Sequence, residues 1–215
     1  MADELAPGVT DLLGAIAYGE LAGFDRLAED ARAAPSLRER VALSEMAAAE
    51  MGHYTLLRDH LGERGVDVAD AMAPFGAALD GWHASTAPKS WTESLVKVYL
   101  GEGLTADFYR EIATWVDEQT RQVVLEVLAD TGHAEFAERE IAAACAREPG
   151  LRDKLALWGR RLLGEALTQS QYVVAERDSL AELIIKGSGD LAGIGALFRK
   201  VQKGHAKRMQ KLGLS

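Results

Sequence analysis

Four carboxylates stand where apolar residues belong, and this constrains the chain most. Read at helical spacing, Val9, Leu13, Ile16, Phe24 and Leu27 form a stripe that Glu20 interrupts. The next stripe, Leu43, Met46 and Leu57, is interrupted by Glu50 and His53. Leu95, Val98, Thr105, Tyr109, Ile112 and Val116 form a third, broken by Glu102. Val123, Val127, Ala137 and Ile141 form a fourth, broken by Asp130 and His133. Residues three apart share a helix face, so each acid-x-x-His pair can reach one ion.

The interruptions repeat with one plan. Gly19-Glu20 and Gly101-Glu102 sit in the first helix of two similar hairpins, and Glu50-Met51-Gly52-His53 and Asp130-Thr131-Gly132-His133 in the second. Glu20 and Glu50 are equidistant from Pro35, while Glu102 and Asp130 are equidistant from position 116. Each acid then lies about 20 Å from its turn, on the inner face of its hairpin. Packing the two seams together gathers four carboxylates and two imidazoles in one core. Unpaired buried carboxylates cost several kcal/mol or a large pKa shift. Two divalent ions would balance the four negative charges with both histidines neutral, and a ligand set without thiolate suits iron or manganese. The competing reading is a plain bundle in which Glu–His hydrogen bonds fix the register. Single matches are weak, since Asp80-Gly81-Trp82-His83 repeats the acid-x-x-His spacing elsewhere.

Punctuation predicts the elements. A first helix is expected over 9–33, with Pro35 at the turn. Ser36 and Glu39 make a capping box for a second, which runs to about residue 64. Residues 66–89, rich in Gly, Ala, Pro and Asp, read as a crossover with one short helix. Ser90 and Glu93 cap a third helix, and a break near 117–120 precedes a fourth that stops before Pro149. A fifth is expected over 151–183, a flexible turn at Gly187-Ser188-Gly189, and a last helix over 191–212. The expectation is one all-α domain over 1–215: a four-helix core at 9–147 and a two-helix C-terminal extension at 148–215. Glycines 19, 52, 101 and 132 adjoin the polar interruptions. They predict either close backbone approach or a cavity.

Charge and cysteine content narrow the function. A net charge of −9 argues against a dominant basic nucleic-acid groove. Six basic residues nevertheless cluster without an acid at Arg199, Lys200, Lys203, Lys207, Arg208 and Lys211. They fit either phosphate contacts or a solvated helix face. The single cysteine, Cys145, sits among alanines and reads as a small core residue suited to a reducing cytosol. No apolar run of about 20 residues predicts a membrane span, and the first residues do not read as a signal peptide, so the expected location is cytoplasmic.

The six residues Glu20, Glu50, His53, Glu102, Asp130 and His133 resemble the ferritin-like di-iron carboxylate superfamily, in which two helices each contribute a Glu and two contribute Glu-x-x-His. The resemblance covers residues 9–147. Within the superfamily the chain looks most like the group related to the tRNA methylthio-isopentenyladenosine hydroxylase, in length, in its helical extension and in its histidine pattern. The resemblance implies a ferritin-like bundle holding two iron ions, with manganese as the alternative, and those six side chains as ligands. It implies a monooxygenase (hydroxylase) whose partners are dioxygen, an electron donor and a tRNA or small-molecule substrate, with no membrane; a homodimer is compatible with it. Iron oxidation or peroxide scavenging, and a metal-free helical partner protein, are the alternatives. Asp130 departs from the family's Glu by one methylene, which shortens its reach.

Overall fold

A computed structural model of the chain describes residues 5–129, 133–190 and 192–215. Among these, all regular structure is helical. Helix α1 (Pro7–Ala33) starts on Pro7 at its first position, where a missing N–H costs nothing. Helix α2 (Leu37–Gly62) starts as expected, with Ser36 accepting from the Glu39 N–H. The two form a tight antiparallel hairpin.

The crossover holds two helices rather than one, α3 (Val68–Met72) and α4 (Gly76–Ser85), joined by a 3-10 turn at Ala73–Phe75. Asp67 caps α3 by accepting from two backbone N–H groups. The helix lies on α1 so closely that a Cβ on Gly14 would collide with the Ala71 carbonyl. Phe75, fully buried, anchors the crossover in the main core with Leu12, Leu13 and Ile16. Each such side chain contributes about 1.5–3 kcal/mol by burial.

Helix α5 (Trp91–Ile112) is capped by Ser90, as expected. It is the hub of the second half, packing on α1, on α7 (His133–Arg147), on α8 (Leu151–Glu176) and on α10 (Ala192–Lys211). The break that follows it is a 3-10 turn at Ala113–Trp115, after which Asp117 caps α6 (Glu118–Val127).

Two expected single helices prove divided. The fourth is split into α6 and α7, with Leu128 and Ala129 no longer helical. The fifth is split into α8 and α9 (Asp178–Ser188). The cause of the second break is long-range. Asp11, buried on α1, accepts from Arg177 Nη2 at 2.6 Å and from the Ser179 hydroxyl, drawing the chain out of helix at Arg177. The change of direction lets Leu180 and Ile184 join the core against α1. Gly187 and Ser188 are helical, not a turn; the reversal occurs at Gly189, whose φ of +91° suits glycine. The C-terminal extension therefore has three helices where two were expected. No helix among the described residues is long and apolar enough to cross a membrane. Cys145 is a half-buried free thiol, and burial pushes its pKa up.

Helix α10 docks through Leu197, Val201, His205 and Met209. Gly159 of α8 leaves the room that Met209 fills. His205 is only 3 % exposed, and burial followed by the nearby Arg208 lowers its pKa from 6.5 to about 4. The unfolded chain therefore takes up this proton first. Stability contributed by neutral His205 is complete above about pH 6.5 and is lost as pH falls toward 4, by about 1.4 kcal/mol per pH unit. In urea titrations, His205→Leu is expected to flatten the pH dependence between 4.5 and 6.5 relative to the wild type; parallel curves would show that His205 does not titrate as its burial requires.

Candidate metal centre

Glu20 sits one turn beyond Ile16 on α1, facing α2. Glu50 and His53 sit between the buried Met46 and Leu57 on α2. The seams therefore stay apolar on both sides of the polar group, which fixes its height in the hairpin. His53 Nδ1 lies 3.0 Å from Glu20 Oε2 and 3.9 Å from Glu50 Oε2. The three side chains are 12–16 % exposed, and one ligand atom from each falls within 4.8 Å of the others. This is the one Glu/His cluster with metal-binding spacing among the described residues.

Burial dominates the electrostatics. It raises the Glu50 carboxyl to about 10, helped by a hydrogen bond with Glu20 and by the charges of Glu20 and Glu102. It raises Glu20 to about 7, offset by the hydrogen bond from Glu50 and reinforced by Glu102. Without a cation, a neutral Glu50 therefore donates to an ionised Glu20, which also accepts from His53 Nδ1. A proton stands where a positive charge is needed. The donor set and its spacing fit a divalent ion, which would displace that proton.

Glu102 of α5 reaches the same place. It lines the adjoining cavity, and its charge is felt by both Glu20 and Glu50. Asp130 and the His133 side chain lie outside the described residues. Leu128, Ala129 and Ala134 on either side of them line the cavity. The other acid-x-x-His match goes elsewhere: Asp80 accepts from the Tyr18 hydroxyl at 2.8 Å, and His83 lies near Lys97 and Arg26.

The cavity encloses about 500 Å³ between α1, α5 and α8 and is largely apolar, with Leu12, Phe75, Leu104 and Val173 in its wall. Gly19 and Gly101 also line it, which favours the cavity reading of those glycines over close backbone packing. A side chain on Gly101 would press on Trp82, whereas one on Gly52 would meet nothing. Gly23, which the sequence did not single out, faces the Glu50 carboxylate, 3.4 Å from where a Cβ would lie. Of the tyrosines, Tyr18 and Tyr99 bond other acids, Asp80 and Glu138. Tyr109 is the one beside Glu20; burial and then that charge raise its pKa, so it keeps its proton. Its sequence signal was its place on the α5 seam, seven residues beyond Glu102.

A family model described as a ferritin-like domain of actinomycetes matches residues 3–187. The chain belongs to this ferritin-like family. No curated protein matches it. The match runs over α8 and most of α9, both of which wall or brace the cavity. The basic helix α10 lies beyond it.

Glu50 sets a pH signature for the ferritin-like centre. Its pKa is raised in the fold, so its contribution to stability is complete below about 4.5 and is lost as pH rises toward 10. Between pH 7 and 8 the buried histidines are already neutral, while Glu20, near 7, adds to the loss and Lys97, near 8, offsets it. Chelator-treated protein is therefore expected to lose about 1.4 kcal/mol of stability over that unit, and Glu50→Gln to remove the loss. An equally steep decline in the variant would contradict the assignment.

Proposed function

We propose that this ferritin-like protein is a carboxylate-bridged di-iron oxygenase that hydroxylates a small organic molecule held in its cavity. One observation carries the reading: the Glu20–Glu50–His53 cluster opens onto an apolar-walled space of about 500 Å³. That volume lies within the usual range for small-molecule sites. Iron oxidation for storage needs a path for ions, not a greasy chamber beside the centre.

In this reading Glu20, Glu50, His53, Glu102, Asp130 and His133 hold two iron ions, manganese being the alternative. When bound, iron supplies the reduction of dioxygen with electrons from an external donor, at the cost of no protein side chain. On metal loading Glu50 would release its proton, and Glu20, now acceptor of two hydrogen bonds, would serve as a ligand. Tyr109 retains its phenolic proton at the edge of the cluster and offers a donor there. Leu12, Phe75, Leu104 and Val173 hold an apolar substrate and exclude water.

The substrate in this proposal is a small molecule rather than tRNA. Three of the six clustered basic residues on α10 are turned to acids of the bundle: Lys200 pairs with Glu111, Arg208 with Asp107 at 2.6 Å and Lys211 with Glu138 at 2.6 Å. Pairing of this kind removes much of the positive surface that phosphate contacts require. The relation to the tRNA-hydroxylating group is thus read as one of site architecture.

Loading with ferrous iron without oxygen, followed by desalting, is expected to leave about two irons per chain, and His53→Ala to lose at least half of them. Oxygen and a reductant should then give repeated oxygen uptake at constant iron content. Iron accumulating well beyond two per chain in air would identify a storage protein, and unchanged iron in the variant would remove His53 from the site.

A further inference from the structure

The cavity has a second polar end, which the metal reading does not use. Arg26 lies six residues beyond Glu20 on α1, and Lys97 lies five before Glu102 on α5. The two helices run in opposite directions, since Asp30 meets Ser94 at 3.2 Å while Glu20 lies near Glu102, so both cations are displaced from the cluster the same way. At 1.5 Å per residue the displacement is roughly 7.5–9 Å. Both side chains line the same cavity as Glu20, Glu50 and His53, with Gly23 and Val98 between the two ends.

Two cations here face one buried acid. Lys97 is 3 % exposed; it donates to the Thr86 carbonyl at 3.0 Å and the His83 carbonyl at 3.4 Å, and stands 4.6 Å from the Trp82 ring centre. Arg26 Nε is buried without a hydrogen-bond partner among the described residues; the Asp30 carboxylate is 3.8 Å from it. Arg26 Nη1 pairs with Glu29 at 2.7 Å, but that carboxylate is largely exposed and screened by solvent. The other cations of the cavity are matched: Arg208 by Asp107, Lys211 by Glu138, and Arg110 by the Leu128 carbonyl. The local field is correspondingly positive. Burial, then Lys97 and Arg26, lower His83 to about 4, and burial, then Arg26, lower Lys97 to about 8.

We propose that Arg26 and Lys97 bind the carboxylate of an amphipathic monocarboxylic acid, whose apolar chain runs along the cavity toward the Glu20–Glu50–His53 cluster. This names the substrate class of the oxygenase reading and rests on it. Asp30 is the one buried acid here, and the Arg26 Nε edge and Lys97 still face the cavity. A carboxylate accepts in the plane that a guanidinium presents. The separation of the two ends would set the oxidised carbon several bonds from the head group.

The test is calorimetric titration of the full chain, iron-loaded without oxygen and again after chelation, with octanoate, 1-octanol and octyl phosphate. Octanoate is expected to bind about tenfold or more tightly than octanol, as a charged hydrogen bond predicts, and at least as tightly as octyl phosphate. Arg26→Gln, at the more exposed position, and Lys97→Met should each remove the preference for acid over alcohol while leaving octanol binding unchanged. Equal affinity for acid and alcohol, or a preference that survives Arg26→Gln, would overturn the proposal; tighter binding of octyl phosphate would overturn the carboxylate assignment. Octanoate binding in both metal states without any oxygen-dependent product would leave this site standing and defeat the oxygenase reading alone.

Discussion

Two carboxylates face one another inside the α1–α2 hairpin, and the rest of the site follows from how that conflict is relieved. Glu20 and Glu50 are each more than four-fifths shielded from solvent. Both cannot be ionised there without a positive charge. In the metal-free chain a proton on Glu50 and an N–H from His53 supply the relief, which makes the centre a site already shaped for something more strongly charged. Glu102 adds a third negative charge from α5 and ties the two halves of the bundle to the same requirement.

Much of this was readable from the chain because it depends on local periodicity and short-range caps. A helix with Leu43, Met46 and Leu57 on one face must carry Glu50 and His53 on that face too, and the equal distances of Glu20 and Glu50 from Pro35 place them level. Ser36, Ser90 and Asp117 start their helices with their own side chains, so the starts show in sequence. The break at Arg177 does not, because its cause is Asp11, 166 residues earlier. Gly52 was legible as a glycine beside a ligand candidate, yet a Cβ there would meet nothing among the described residues, while Gly23 makes the close approach to Glu50. Arg26 and Lys97 have no local signature at all; only the antiparallel register of α1 and α5 brings them to one end of one cavity.

The arrangement also shows how a symmetric plan yields an asymmetric chamber. The first hairpin is continuous, whereas the second is interrupted after Val127 and leans on α8 and α10 through α5 and α7. The cavity is walled in part by α8, by the crossover and by Tyr109. The basic residues of α10, conspicuous in sequence, partly serve to fasten that helix to α5 and α7.

The central claim is that a cation belongs between Glu20, Glu50 and His53. Anomalous diffraction at the iron edge from crystals of iron-loaded protein tests it most directly. The account predicts a peak within coordination distance of all three side chains, absent when data are collected below the edge. An empty cluster in crystals whose iron content is confirmed, or a peak at a surface site alone, would contradict it.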